Sequence, residues 1–334
     1  MNKLKPLPEE WSGLLNNEQK EAIENINGPL LIIAGAGSGK TRVLTYRYAH
    51  LIKTYGINFE NVLAITFTNK AANEMKDRIS DLLNLELSPK WISTFHSLCV
   101  KMLRIHGHLI GFNNNFTIYD QSDSTKLVRN CMRDSDIDTK QYSPKRIQAH
   151  ISSLKNQRIL PGEAVEFAQS FFDVKVAEIY SSYQKKLMLA NSMDFDDLLI
   201  KAVELLETSD KSLNYWSSKF QYIMIDEYQD TNMVQYRLVE LLASKHKNIC
   251  VVGDSDQSIY AFRGADIRNI EEFESDFKNA KVISLEKNYR SSQKILDIAN
   301  AVISNNPRKK DKKLWTDNDE GLDVNLVEFN SERD

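Results

Sequence analysis

The sequence has little sulfur chemistry to organise a fold. Its three cysteines, Cys99, Cys131 and Cys250, are scattered, and none stands in a CxxC pair. That excludes a disulfide framework and a zinc ribbon, and points to buried thiols in a reducing compartment. Long apolar runs are missing as well: no stretch reaches the roughly 18 apolar residues that a membrane helix needs. The opening "MNKLKPLPEEW" lacks the apolar centre of a secretory signal. These absences predict a cytoplasmic protein with no membrane partner. A net charge of −3 removes any global basic signature, so a nucleic-acid site has to be a local groove. There are no internal repeats.

What is present is ordinary for a globular chain: 334 residues, 42 % apolar and 27 % charged, with room for two or three domains. The first third alternates strand-like runs, "PLLIIA" (29–34), "NVLAIT" (61–66) and "KWIS" (90–93), with helical patterns over Thr41 to Lys53 and Asn69 to Leu83. This β-α-β-α rhythm predicts an α/β fold with a parallel sheet. From about 120 to 218 helical patterns follow one another, as in "QSDSTKLVRNCMRD", "SPKRIQAHISSLKN" and "FDVKVAEIYSSYQKKLMLAN". Strands then return in "FQYIMI" (220–225), "NICVVG" (248–253) and "AKVISL" (280–285), with a further strand-like "LDVNLVEF" near the end. The expected organisation is one α/β domain over 1–105 and 219–280, a helical insertion over 106–218, and a second, unfinished α/β unit over 281–334. Five basic residues within Arg308 to Lys313 read as a solvated loop.

The stretch "AGAGSGKT" follows a strand and opens a helix. It fits the phosphate-loop pattern GxxxxGK[ST] except that Ala34 takes the place of the first glycine. Gly35, Ala36, Gly37, Ser38 and Gly39 would turn backbone N–H groups onto phosphate oxygens. Lys40 supplies a point charge for the outer phosphates, and the Thr41 hydroxyl suits Mg²⁺. The buried run "YIMI" then ends in Asp226-Glu227. A parallel strand ending beside the loop puts Asp226 at the metal and Glu227 where a base could polarise water attacking the γ-phosphate. Adjacent Asp-Glu therefore argues for hydrolysis of the bound nucleotide. In "VVGDSDQSIYAFRGAD", Gln257 is placed to reach the γ-phosphate region. Three residues on, Tyr260, Phe262 and Arg263 form an aromatic and basic cluster suited to stacking unpaired bases without reading their sequence.

Taken in order, these motifs resemble those of superfamily 1 DNA helicases of the UvrD/Rep/PcrA type, over nearly the whole chain. "LNNEQKEAI" is similar to the family's Q motif, which implies that Gln19 reads the adenine edge. "AGAGSGKT" is the form the phosphate loop takes in this family. "AITFTNKAANEM" resembles a segment facing single-stranded DNA, implicating Thr66, Phe67 and Asn69. "STFHSLCVKMLR" resembles another, implicating Thr94 and His96. "LEKNYRSS" resembles the fourth motif, in which Tyr289 stacks on adenine opposite Arg42 and Arg290 acts as an arginine finger. "MDFDDLL" (193–199) also looks like a family signature, without an assigned chemistry. One departure is "YAFRGA", in which Phe262 stands where relatives often carry tryptophan.

The resemblance implies two RecA-like domains and an ATP- and Mg²⁺-dependent 3′-to-5′ translocase. Its partners would be single-stranded DNA and single/double-strand junctions, with repair or replication proteins besides. The later motifs of the family are not in the sequence, so the chain is expected to be an N-terminal portion, poorly active by itself. Two other readings remain: the motor of a helicase–nuclease, and a non-catalytic nucleotide- or DNA-binding module.

Overall fold

The computed structural model describes residues 4–84, 89–306, 312–325 and 327–328, with every side chain in those ranges except that of Arg263. The strands are β1 Leu30–Ala34, β2 Val62–Thr66, β3 Ile92–Thr94, β4 Thr117–Ile118, β5 Ser192–Met193, β6 Tyr222–Ile225, β7 Ile249–Gly253 and β8 Lys281–Leu285. Six of them form one sheet in the order β3-β2-β6-β7-β1-β8, every pairing parallel. β1, β2, β6 and β7 are buried along their whole length, which is why they read as continuous apolar runs rather than alternating ones. Alternate residues still divide between two cores. Leu31, Ile33 and Ile65 pack on one face, and Leu30, Ile32 and Ala64 on the other. Helices Lys40–Lys53 and Asn69–Leu83 cover the second face through Val43, Leu44, Met75 and Ile79. Helices Phe95–His106 and Met233–Ala243 cover the first through Leu98, Met102, Val234 and Leu238. Each fully buried Leu or Ile contributes about 1.5–3 kcal/mol, so this three-layer packing dominates the stability of the sheet unit.

Helices Gln121–Asp134, Pro144–Asn156 and Phe171–Leu189 form a separate bundle around Val128, Ile147, Ile151, Val176 and Tyr180. Helices Phe195–Thr208 and Asp210–Lys219, grouped with the insertion by chain order, differ. Their apolar residues Leu198, Leu199, Ala202 and Trp216 lie in the first core of the sheet unit. The run from 120 to 218 also contains one short strand: β5 pairs in parallel with β4 as the chain leaves for the bundle and returns. Lys155 of the bundle is completely buried, with its ammonium 2.6 Å from Asp194 Oδ2 and 2.8 Å from Asp197 Oδ1. Burial opposes the charge on Lys155, and Asp197 and Asp194 more than offset it.

The strand Lys281–Leu285 was expected to open a second α/β unit. It instead pairs with β1 at the edge of the first sheet, in register from Leu30↔Lys281 to Ala34↔Leu285. Its inward residues Ile283 and Leu285 complete the second core, which gives the strand a reason to stay. Among the described residues of "LDVNLVEF" no strand forms. Leu326 and Phe329 lie outside the described residues, as do Arg308, Lys309 and Lys310 of the basic run.

Candidate functional site

The phosphate loop leaves β1 and enters the helix Lys40–Lys53. Gly37 has φ +72° and Gly39 φ +91°, a left-handed backbone that glycine adopts without a Cβ penalty. A Cβ on Gly37 would also stand 2.7 Å from Asn288 Nδ2 and 2.8 Å from Arg290 Cβ, so the loop is closely approached from 288–290. Ser38 ties the turn by donating from Oγ to the Gly35 carbonyl at 2.8 Å. Gln19 is buried and donates from Nε2 to the Ser38 carbonyl at 3.1 Å, while its Oε1 closes a capping box with Asn16. Ala36 and Arg42 are exposed on the rim, and Thr41 follows Lys40 in the first turn of the helix. Tyr289 is nearly half exposed and donates its backbone N–H to the Gly37 carbonyl at 2.9 Å. Arg290 is exposed beside the same glycine. The structure thus brings Gln19, Arg42, Tyr289 and Arg290 together around one loop.

β6 delivers Asp226 and Glu227 next to this loop. The Lys40 ammonium lies 2.8 Å from Glu227 Oε2. Asp226 is 8 % exposed, and burial, followed by the neighbouring Glu227, pushes its carboxyl up to about 6 against the pull of Lys40. Glu227 has φ +50° and ψ 48°, the left-handed region in a residue that has a Cβ. Local strain of this kind is tolerated where a side chain has to be aimed. The next link is Gln229, which is absent from the expected site. Its Nε2 donates to Glu227 Oε2 at 2.9 Å, and its Oε1 accepts from the Asp254 backbone N–H at 3.0 Å. Gln257 in turn donates from Nε2 to Asp254 Oδ2 at 2.5 Å. A continuous polar chain therefore runs Lys40–Glu227–Gln229–Asp254–Gln257, from the end of β1 across β6 to β7. Gln229 was hard to read from sequence because a glutamine after "DEY" has many surface roles.

The second part of the site is a cleft of about 770 Å³ between the sheet unit and the helical bundle, lined by Phe67, His96, Asn156, Phe195, Tyr260 and Phe262 among others. Phe67 and Tyr260 stack with ring centroids 5.1 Å apart and an angle of 28°. Tyr260 and Phe262 are 6.0 Å apart and tilted by 42°. The single 3₁₀ turn Ala261–Arg263, with Tyr260 at its start, holds the two rings near each other. Phe262 is 78 % exposed, which excludes core packing. The side chain of Arg263 lies outside the described residues. His96 meets the edge of Phe195 at 5.9 Å, and burial lowers its pKa, which keeps the ring neutral near pH 7.

Thr66 and Thr94 are buried, and their hydroxyls are committed to the fold. Thr66 donates to the Thr68 carbonyl at 3.0 Å. Thr94 caps the helix Phe95–His106 by accepting from the Ser97 N–H at 3.3 Å, and its hydroxyl lies 3.0 Å from Ser97 Oγ and 3.4 Å from Asn69 Oδ1. Phe67 and Asn69 are the exposed members of this group. Phe195, from "MDFDDLL", and Asn156 were not expected in the cleft. Asn156 Oδ1 accepts from Asn232 Nδ2 at 2.6 Å, and its Cβ stands 3.1 Å from where a Gly264 Cβ would be. It thereby joins the bundle to the segments that follow both Glu227 and Phe262.

Among the described residues no helix is long and apolar enough to cross a membrane. A family model described as "UvrD/REP helicase N-terminal domain" matches residues 15–278, and one described as "UvrD-like helicase C-terminal domain" matches residues 283–334. The chain is 50 % identical over 320 residues to the ATP-dependent DNA helicase PcrA of Staphylococcus aureus, covering 96 % of this chain and 44 % of that protein. It is 49 % identical over the same length to the protein of that name from Staphylococcus epidermidis, again covering 96 % of this chain and 44 % of the relative. The chain therefore spans less than half the length of the curated relatives it matches. With motifs, sheet and matches in agreement, the chain belongs to the UvrD/REP helicase family.

Proposed function

We propose that this chain is the ATP-binding part of an ATP-dependent DNA helicase that hydrolyses ATP to move on single-stranded DNA. The observation that carries the reading is the continuous polar chain from Lys40 to Gln257, which stops three residues before Tyr260 at the wall of the aromatic cleft. A change at the phosphates thus has a short bonded route to the surface where bases would stack.

The residues fit a nucleotide with its cation. A nearly buried carboxyl raised to about 6 at Asp226 gains most from a divalent cation, which would offset its desolvation. Asp226 and Thr41 would hold that cation, and two protein ligands suit Mg²⁺, which keeps waters and takes phosphate oxygens. The cation would supply charge neutralisation at the β- and γ-phosphates. Lys40 would bind the outer phosphates, with Gly35, Ala36, Gly37, Ser38 and Gly39 offering backbone N–H groups. Gln19, Arg42 and Tyr289 would hold the adenine. Glu227 would take the proton of the attacking water, and Gln257 and Arg290 would sense and stabilise the γ-phosphate. Phe67, His96, Tyr260 and Phe262 would contact bases, with Asn69 and Arg263 at the strand's backbone, while the buried Thr66 and Thr94 would act by shaping the segments that present them.

We extend the reading to single/double-strand junctions, 3′-to-5′ movement and a cytoplasmic role in repair or replication, on the strength of the resemblance. We also propose that 1–105 and 219–285 form the first RecA-like domain, with the boundary to the second after Leu285 rather than at 281. The test is ATP turnover with and without single-stranded DNA, beside strand separation on a 3′-tailed duplex, with Glu227→Gln as control. ATP binding without DNA-stimulated turnover, in a protein extended to the length of the matched relatives, would favour a non-catalytic module instead.

A further inference from the structure

The basic run near the end of the chain contains a residue that is not solvated. Lys312 is 8 % exposed along its side chain. Its ammonium is paired with Asp254 Oδ1 and lies 3.2 Å from Asp256 Oδ2. Asp254 is itself 3 % exposed and is the residue whose other oxygen, Oδ2, accepts from Gln257. One carboxylate thus holds a lysine from the end of the chain with one oxygen and the proposed γ-phosphate sensor with the other.

The segment around Lys312 is fastened over the phosphate loop. Leu314 Cδ2 stands 2.5 Å from where a Gly35 Cβ would be, so a side chain there would push the leucine aside. Trp315 donates its N–H to the Glu286 carbonyl at 3.2 Å and accepts from the Asn288 N–H at 2.7 Å. Asn288 Nδ2 in turn donates to the Ala36 carbonyl of the loop at 2.6 Å. Asn300 braces the segment from the helix Gln293–Ile303, donating to the Leu314 carbonyl at 2.9 Å. Burial, and then the field of Lys40, pull Lys312 down to about 8, so its position beside the loop is held against a cost.

We propose that Lys312 is a positioning residue for nucleotide discrimination: through Asp254 it sets the amide of Gln257, and so links the 312–316 segment to whether the loop holds a triphosphate or a diphosphate. The proposal rests on the nucleotide-site reading above. It differs from simple fastening of one segment to another, because loosening the 312–316 segment as a whole would weaken both nucleotides alike. An unset Gln257 weakens only the one that carries a γ-phosphate.

The experiment measures equilibrium affinity for ADP and for an ATP analogue with an imido link between the β- and γ-phosphates. It compares the parent chain, Lys312→Met and Lys312→Arg, with the melting temperature of each recorded. The expected result is that Lys312→Met keeps its ADP affinity while the triphosphate preference falls about tenfold, the scale of one hydrogen bond to a charged group. Lys312→Arg, which keeps the charge, should retain most of the preference. If Lys312→Met does not fold, the same ratio is read in Lys312→Gln. A ratio unchanged by removal of the charge, an equal loss for both nucleotides, or an arginine variant no better than methionine overturns the proposal. So does a parent chain that binds both nucleotides without preference. A parent that binds neither overturns the nucleotide-site reading, and this proposal with it.

Discussion

The Lys40 ammonium lies 2.8 Å from Glu227 Oε2, so the proposed phosphate cation and the proposed base share one ion pair. A phosphate oxygen that takes Lys40 would free the Glu227 carboxylate from this partner as the substrate enters. The αL backbone of Glu227 and the second hydrogen bond from Gln229 keep its side chain directed into the site while Lys40 changes partner.

Replacing Glu227 by glutamine should slow hydrolysis by a factor of about 10² to 10⁴, the usual contribution of a general base. Affinity for ATP should not fall, because a neutral amide competes less for Lys40 than a carboxylate does. Single-turnover rates beside equilibrium ATP binding read both quantities. Turnover near that of the parent would move the base to another residue.

The raised Asp226 predicts a pH dependence of definite sign. Its carboxyl is at about 6 in the folded chain against 3.8 as the ordinary value, so between these values the folded chain holds a proton that the unfolded chain has released. The stability it contributes is full below about pH 4 and is lost as pH rises through 6. Cation binding runs the other way, since it needs the ionised form. Affinity for Mg²⁺ in the presence of ATP should therefore drop as pH falls through about 6, and Asp226→Asn should bind the cation weakly with no such inflection. Isothermal titration at pH 5, 6 and 7.5 would show it. An unchanged inflection in the asparagine variant would assign it to a different group.

Phe262→Ala should weaken binding of single-stranded oligonucleotides by about 1–3 kcal/mol, and by similar amounts for thymine and adenine oligomers. With the ring 78 % exposed, the melting temperature should stay that of the parent. Anisotropy titrations with both oligomers test this. Unchanged affinity would remove Phe262 from the strand-binding surface.

Lys155→Met should cost about 3–5 kcal/mol at neutral pH, because it leaves Asp194 and Asp197 buried without their cation. Adding Asp194→Asn and Asp197→Asn should recover part of that loss. Urea unfolding of the single and triple variants compares them. Equal losses in the two would trace the effect to packing rather than to uncompensated charge.

Local features were legible and long-range ones were not. The strand Leu30–Ala34 and the turn with Gly37 and Gly39 announce themselves, because burial on both faces demands an apolar run and positive φ demands glycine. Asp226-Glu227 could be placed because a parallel strand has to end near that turn. Lys312 and Lys155 could not, since a lysine in a basic run or on an amphipathic helix looks the same whether it meets water or a carboxylate. The edge position of Lys281–Leu285 was hidden for a related reason: a strand's sequence shows that it pairs, not which neighbour it takes. The turn that holds Tyr260 and Phe262 at one cleft has a single signal in the sequence, Gly264, which closes it at φ +85°.

The β4–β5 pairing and the Lys155 cluster fasten the helical bundle to the sheet unit at two places. A wall held in this way has surrendered its freedom during folding rather than at the encounter with a ligand. The conformational entropy lost when a strand enters the cleft then falls on the strand alone. Between two oligonucleotides of equal charge and stacking strength, the stiffer one should bind with the more favourable entropy, and the difference should widen on warming.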